Sequence, residues 1–215
     1  MELLTDQEVR VLGSLIEKEI TTPDYYPLSL NALTNACNQK SNRHPVMELD
    51  EQAVRETLES LNQKRLAGPA STAESRVTKF AHRFQEAFNF DRRATVLLCE
   101  LMLRGPQTLG ELRSHCERMY RFDDLASLEA ALQKLADLEL PLVKKLPRVP
   151  GTKESRYAHL LGGEKAEWAT REAEPSPVPR PTDSRLDQLT AEVAEMERRL
   201  AGLEQQFAEF KKQFE

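Results

Sequence analysis

The stretch Pro27-Leu28-Ser29-Leu30-Asn31-Ala32-Leu33, running on to Cys37, recurs as Pro106-Gln107-Thr108-Leu109-Gly110-Glu111-Leu112, running on to Cys116. Five positions match by identity or Ser/Thr equivalence at one constant offset of 79 residues. Further blocks follow in the same order. Leu58, Leu61 and Leu66 match Leu132, Leu135 and Leu140, and Ser75-Arg76 matches Ser155-Arg156. A shared Pro-x-[Ser/Thr]-Leu-x-x-Leu-x-x-x-Cys string is more than leucine coincidence, so the chain reads as an internal duplication.

Each copy predicts three helices closed by a short hairpin. In the first, Thr5 and Glu8 form a capping box ahead of Val9, Leu12, Leu15 and Ile16, and the helix should stop near Ile20, before Thr21-Thr22-Pro23. Ser29 caps a second helix carrying Leu30, Leu33, Ala36 and Cys37, and the polar stretch from Asn38 to Pro45 reads as a loop. Asp50 caps a third helix with Val54, Leu58 and Leu61 on one face, and Leu66–Pro69 and Arg76–Ala81 read as strands. The second copy repeats the order. Its first helix carries Val96, Leu97, Cys99, Leu101 and Met102 and ends at Gly105-Pro106. Thr108 caps the next, and Asp123, Asp124 or Ser127 starts the third. The hairpin is Val143–Leu146, a tip at Pro150-Gly151, and Arg156–Leu160. Three helices plus a hairpin is the winged form of the helix-turn-helix. The expected fold is mainly α with short β-hairpins (α+β): two tandem winged-helix domains, 1–88 and 89–162, followed by a C-terminal coiled-coil helix.

Residues 163–182 form a linker in which Pro175, Pro177, Pro179 and Pro181 alternate with other residues and favour extended geometry. Trp168, just before it, reads as a docking anchor. Beyond it, Leu186, Leu189, Val193, Met196, Leu200, Leu203, Phe207, Phe210 and Phe214 are spaced alternately by three and four. That is a/d occupancy of a coiled coil over 183–215, and such a seam needs a partner. Self-association is the preferred reading; antiparallel pairing, a higher oligomer, or docking on another protein stay open.

The strings Thr21–Ser29, Ala36–Arg43, Leu103–Thr108 and Gly151–Tyr157 resemble the YceH-like family, bacterial tandem winged-helix proteins of uncharacterised function. The resemblance covers about residues 3–162. It implies the fold, a bacterial cytoplasmic setting and a regulatory role, and many members look to carry a C-terminal coil. It supplies no catalytic or binding residue to carry over. One departure is His44 before Pro45, where an acidic residue is expected.

Catalytic chemistry finds no footing. His44, His82, His115 and His159 are scattered, with no pair at helical metal-ligand spacing, and three distant cysteines make neither a disulfide framework nor a zinc site. The eight glycines form no phosphate loop. No enzyme, cofactor or metal is expected. No apolar run approaches the roughly 20 residues of a membrane span, and no signal-peptide core is present, so a cytoplasmic protein is expected.

The net charge of −5 argues against nucleic acid in bulk, but the charge is uneven. Residues 1–90 carry 10 basic and 13 acidic side chains, 91–163 carry 12 and 10, and 164–215 carry 8 and 12. The expected reading helices are too acidic for phosphate, the first exposing Glu51, Gln52, Arg55, Glu56, Glu59 and Gln63. Cations gather around them instead: Lys40 and Arg43 in the polar loop; Arg76 and Lys79 at the first hairpin; Arg113, Arg118 and Arg121 near the second helix-turn-helix; Lys144, Lys145, Arg148, Lys153 and Arg156 on the second wing. Two functions stand: a dimeric DNA-binding regulator contacting the backbone through these cations, or a non-enzymatic dimeric protein-interaction adaptor whose winged helices do not bind DNA.

Overall fold

A computed structural model describes residues 2–70, 77–148, 154–165 and Trp168. The chain divides into two units, Met1–Glu172 and Ala173–Glu215. The second, with all nine seam residues from Leu186 to Phe214, lies outside the described residues, as do the linker from residue 169 on and the hairpin tip at 149–153.

The first unit is a mixed α/β structure with seven described helices and small antiparallel sheets. Helix α1 (Asp6–Thr21) starts at the expected Thr5–Glu8 capping box. After it come β1 (Leu28–Ser29), α2 (Leu30–Cys37) capped by Ser29, and α3 (Glu51–Gln63) capped by Asp50. Strands β2 (Ala67–Ala70) and β3 (Lys79–His82) form the first hairpin. The short α4 (Phe84–Phe88) leads to α5 (Arg92–Arg104), α6 (Leu109–Cys116) and α7 (Leu125–Ala136), then to β4 (Val143–Lys145) and β5 (Tyr157–His159). Thr108 and Glu111 make a second capping box, and Asp124 caps α7.

The duplicated string does the same job twice. Leu28, one residue after Pro27, pairs with Phe80, placing β1 beside β3 in a sheet of order β1-β3-β2. Gln107, one residue after Pro106, pairs with Tyr157 on β5 through two backbone hydrogen bonds of 3.0 and 2.7 Å. In both copies the residue before the helix cap adds an edge to the return strand.

Helices α1 and α5, the first helix of each copy, are central helices of one continuous apolar core. Val9, Val11, Leu12, Leu15 and Ile16 on α1 and Val96 through Leu103 on α5 are all buried. A helix apolar nearly all round is one surrounded by protein. The two cross at Gly13, whose carbonyl accepts from Cys99 Sγ at 3.4 Å. A Cβ on Gly13 would stand 3.0 Å from Leu103 Cδ2 and 3.3 Å from Met102 Cβ. Gly13→Leu should therefore overpack the crossing and destabilise by about 1–3 kcal/mol or more. Gly13→Ala should fall near neutral, because about 1 kcal/mol of helix propensity offsets the tight contact. Urea unfolding of the two variants checks this.

Three features were not anticipated: β1 as a strand, α4, and the aromatic group of Phe84, Phe88 and Phe90 that it builds, with Phe84 fully buried. Trp168 is docked as expected, 7% exposed and packed on Leu146 and Ala158. No described helix is long and apolar enough to cross a membrane.

Candidate nucleic-acid interface

Helix α6 turns Leu112 and Cys116 into the core and leaves Gly110, Arg113, Ser114 and Glu117 outside. With Arg121 and Phe122 these residues line an open groove of about 280 Å³. Arg113 donates to the carbonyl of Asp123 at 3.1 Å, and Arg121 Nε lies 3.9 Å from Glu117, both exposed. Exposed pairs of this kind are weak, so both guanidinium groups are available to an anion. Two of the expected cations are thus brought together.

The second wing is less free than its composition suggests. Lys144 pairs with Glu164 at 2.7 Å. Lys145 pairs with Glu129 at 3.1 Å and lies over the Tyr157 ring, 5.4 Å from its centroid. The Tyr157 hydroxyl donates to the same carboxylate at 2.9 Å. The hydrogen bonds from Tyr157 and Lys145 hold the Glu129 carboxyl below its ordinary range. Arg148 and Lys40 are exposed, while Lys79 and Arg156 are half-buried. Arg76 and Lys153 lie outside the described residues.

Two expected contacts are corrected. Arg43 points inward from the polar loop, with its side chain fully buried. It grips Glu17 through two nitrogens, at 3.1 and 2.5 Å, and donates to the Ala36 carbonyl at 3.1 and 2.8 Å. Arg118 is partly exposed, but its Nη2 is shared by two fully buried carboxylates, Glu17 at 2.5 Å and Glu100 at 2.9 Å. Arg104 Nε holds the other oxygen of Glu100 at 3.0 Å and also donates to the Asn42 side chain. The physical reason is desolvation: Glu17 and Glu100 sit inside the shared core and need cations brought to them. Burial pushes the Glu17 carboxyl up, but the Arg43 hydrogen bonds and the charges of Arg43, Arg118 and Lys18 outweigh it and hold it below the usual range. Glu100 is also pushed up by burial, and there Arg118 and Arg104 do not fully offset it.

Comparison with known proteins finds one family over most of the chain. The family described as "Protein of unknown function, DUF480" matches residues 4–152. This chain belongs to the DUF480 family. A UPF0502 protein of Solibacter usitatus is 50% identical over 208 residues, covering 97% of this chain and 96% of that one. A UPF0502 protein of Geobacter sulfurreducens is 49% identical, with 99% of each chain covered. One from Citrifermentans bemidjiense is 55% identical over 161 residues, covering 75% of this chain and 74% of that one.

In this DUF480 chain the cysteines are built as core. Cys37, Cys99 and Cys116 are free and buried. Burial raises all three thiols, Cys37 to about 11. Thiolates are the reactive form, so these groups are inert. On α3 the exposed face carries Glu51, Glu56 and Glu59 around one arginine, Arg55, as the sequence implied.

Proposed function

We propose that this chain is a non-enzymatic, cytoplasmic, regulator-like protein of two tandem winged helices, dimerised by the Leu186–Phe214 seam, which contacts nucleic-acid backbone mainly through its second half. The carrying observation is the α6 groove, with the exposed Arg113 and Arg121 both among its lining residues. In helix-turn-helix proteins the helix before the reader crosses the phosphate backbone, and α6 precedes α7 in that way. The three-helix-plus-hairpin order of each half supports the reading. Lys40 and Arg148 are the further exposed cations in line with it.

Fluorescence anisotropy on mixed-sequence duplexes at about 50 mM salt tests the proposal, because backbone contact is strongest at low salt. Arg113→Glu and Arg121→Glu should each weaken binding and make the log K against log[salt] slope shallower by about 0.9 per lost phosphate. Absence of binding to any duplex pool under those conditions would sink the reading. A second reading rests on the acidic α3 face: a protein adaptor that presents Glu51, Glu56 and Glu59 to a basic partner. It predicts a specific partner whose capture survives nuclease, whereas capture abolished by nuclease returns the argument to nucleic acid.

A further inference from the structure

The two halves differ where their first and third helices meet. Counted from their N-caps, α1 corresponds to α5 and α3 to α7, the caps being Thr5 and Asp91 for the first pair and Asp50 and Asp124 for the second. In the first half a polar clasp closes the junction. Glu8 on α1 is 2% exposed and accepts from Ser60 Oγ at 2.8 Å and from Lys64 Nζ at 2.8 Å. Beside it, Thr57 Oγ1 donates to Gln7 Oε1 at 3.5 Å.

In the second half the positions of Gln7, Glu8, Thr57, Ser60 and Lys64 are taken by Arg93, Ala94, Ala131, Lys134 and Leu138. The carboxylate and its hydroxyl partners are gone, and all five replacements line an open groove of about 310 Å³. Small-molecule sites run from roughly 300 Å³ upward. Phe90 and Leu135 line it too, so apolar side chains stand on both sides. Arg93 and Lys134 are exposed. Arg93 Nε donates to the Tyr120 hydroxyl at 2.9 Å, and its guanidinium lies 5.7 Å from the centroid of that ring. Neither cation has a carboxylate within ion-pair distance among the described residues. Asp91, which also lines the groove, is committed to capping α5, where its Oδ1 accepts from the Ala94 backbone at 2.8 Å.

We propose that this groove is a binding site for a small apolar carboxylate. The acid head takes the place that Glu8 holds in the first half, beside Lys134 and Arg93, and the hydrocarbon body lies on Phe90, Ala131, Leu135 and Leu138. A bare carboxylate gains little here, because exposed ion pairs are weak. Apolar burial supplies the rest of the affinity, in proportion to the area removed from water. The two demands together select an amphiphilic acid over an inorganic anion or a neutral hydrocarbon. The site is distinct from the α6 groove and shares no lining residue with it.

Carbon-13 methyl NMR of the full chain during titration with sodium octanoate is the test, because Ala131, Leu135 and Leu138 carry methyl reporters in the groove. Saturable shifts of these methyls are expected, at a Kd of about 1 mM or tighter. Octan-1-ol has the same chain length without the carboxylate and should bind at least about fivefold more weakly, the scale of one exposed ion pair. Lys134→Gln should weaken octanoate by the same factor, and because Lys134 is exposed the variant leaves the core intact. Ala94→Glu gives α5 the carboxylate that α1 has in Glu8, and should abolish binding by occupying Lys134 from within. No saturable shift at these methyls up to about 10 mM, well above the expected Kd, overturns the inference. So does octan-1-ol binding as tightly as octanoate, or Lys134→Gln binding octanoate with wild-type affinity.

Discussion

Glu17→Gln should unfold at a much lower urea concentration than the wild type, with a loss of about 3–5 kcal/mol. The substitution keeps shape and removes charge. It leaves Arg43, fully buried, without its carboxylate, and takes from Arg118 one of the two acids that share its Nη2. Breaking one partner of a buried pair costs more than the pair contributes, because the remaining charge stays in low dielectric. With a urea m-value of about 2 kcal/mol per molar, the midpoint falls by about 2 M. Arg43→Met should also destabilise, but by less, since Glu17 keeps Arg118. Arg113→Glu is the contrast. Its guanidinium is exposed on α6, so its stability should stay within about 0.5 kcal/mol of wild type. If Glu17→Gln matched Arg113→Glu in stability, the buried network would carry no structural weight.

Stability should also fall as pH drops from about 6.5 towards 4. His159 titrates near 6.5 when unfolded and at about 4 in the fold. Between those values the unfolded chain binds more protons, so stability rises with pH there and is lost on acidification. For His159 alone the loss at pH 5 is about 2 kcal/mol relative to pH above 7. Lys165 disfavours its protonated form and Asp6 favours it, and burial dominates both. His115 is shifted the same way, to about 4, by burial and then by Arg104. Glu100 works in the opposite sense, because its raised pKa makes the fold take up a proton earlier than the unfolded chain does. Comparing the change in urea midpoint between pH 7 and pH 5 in wild type and in a His159 variant separates this histidine from His115 and Glu100. His159→Asn should lose about 2 kcal/mol less than wild type over this interval. Equal losses would remove His159 as the cause.

The helices were legible because their signals are local. Thr5, Ser29, Asp50, Asp91, Thr108 and Asp124 each cap a helix through their own side chain, and the apolar periodicity behind them supplies the buried face. The burial of Arg43 is not legible locally, because a polar loop ordinarily lies at the surface, as its Lys40 does. Arg43 follows Asn38-Gln39-Lys40-Ser41-Asn42, and nothing nearby in sequence shows that Glu17 awaits it 26 residues earlier. A signal did exist on α1. Arg10, Ser14 and Glu17, at i, i+4 and i+7, form one stripe on a helix whose other faces are already apolar, and all three are buried. Polar groups have no solvent side on such a helix, so they must find partners inside the protein. The acidic partners of the wing lysines are equally hidden from local reading, since Glu129 and Glu164 come to them from other parts of the chain. The α6 groove could be read only in part. Arg113 and Arg121 stood among the expected cations, but their shared cleft is set by how α6 meets the turn into α7.

The Gly13–Cys99 crossing and the bridging Arg118 fix α3 and α7 in one frame. A partner then meets the two helices at a separation set by core packing and not by linker length. In the proposed reading, backbone contacts made by the two halves would accordingly fall at one fixed distance along a duplex, as the jaws of a rigid caliper keep one gauge.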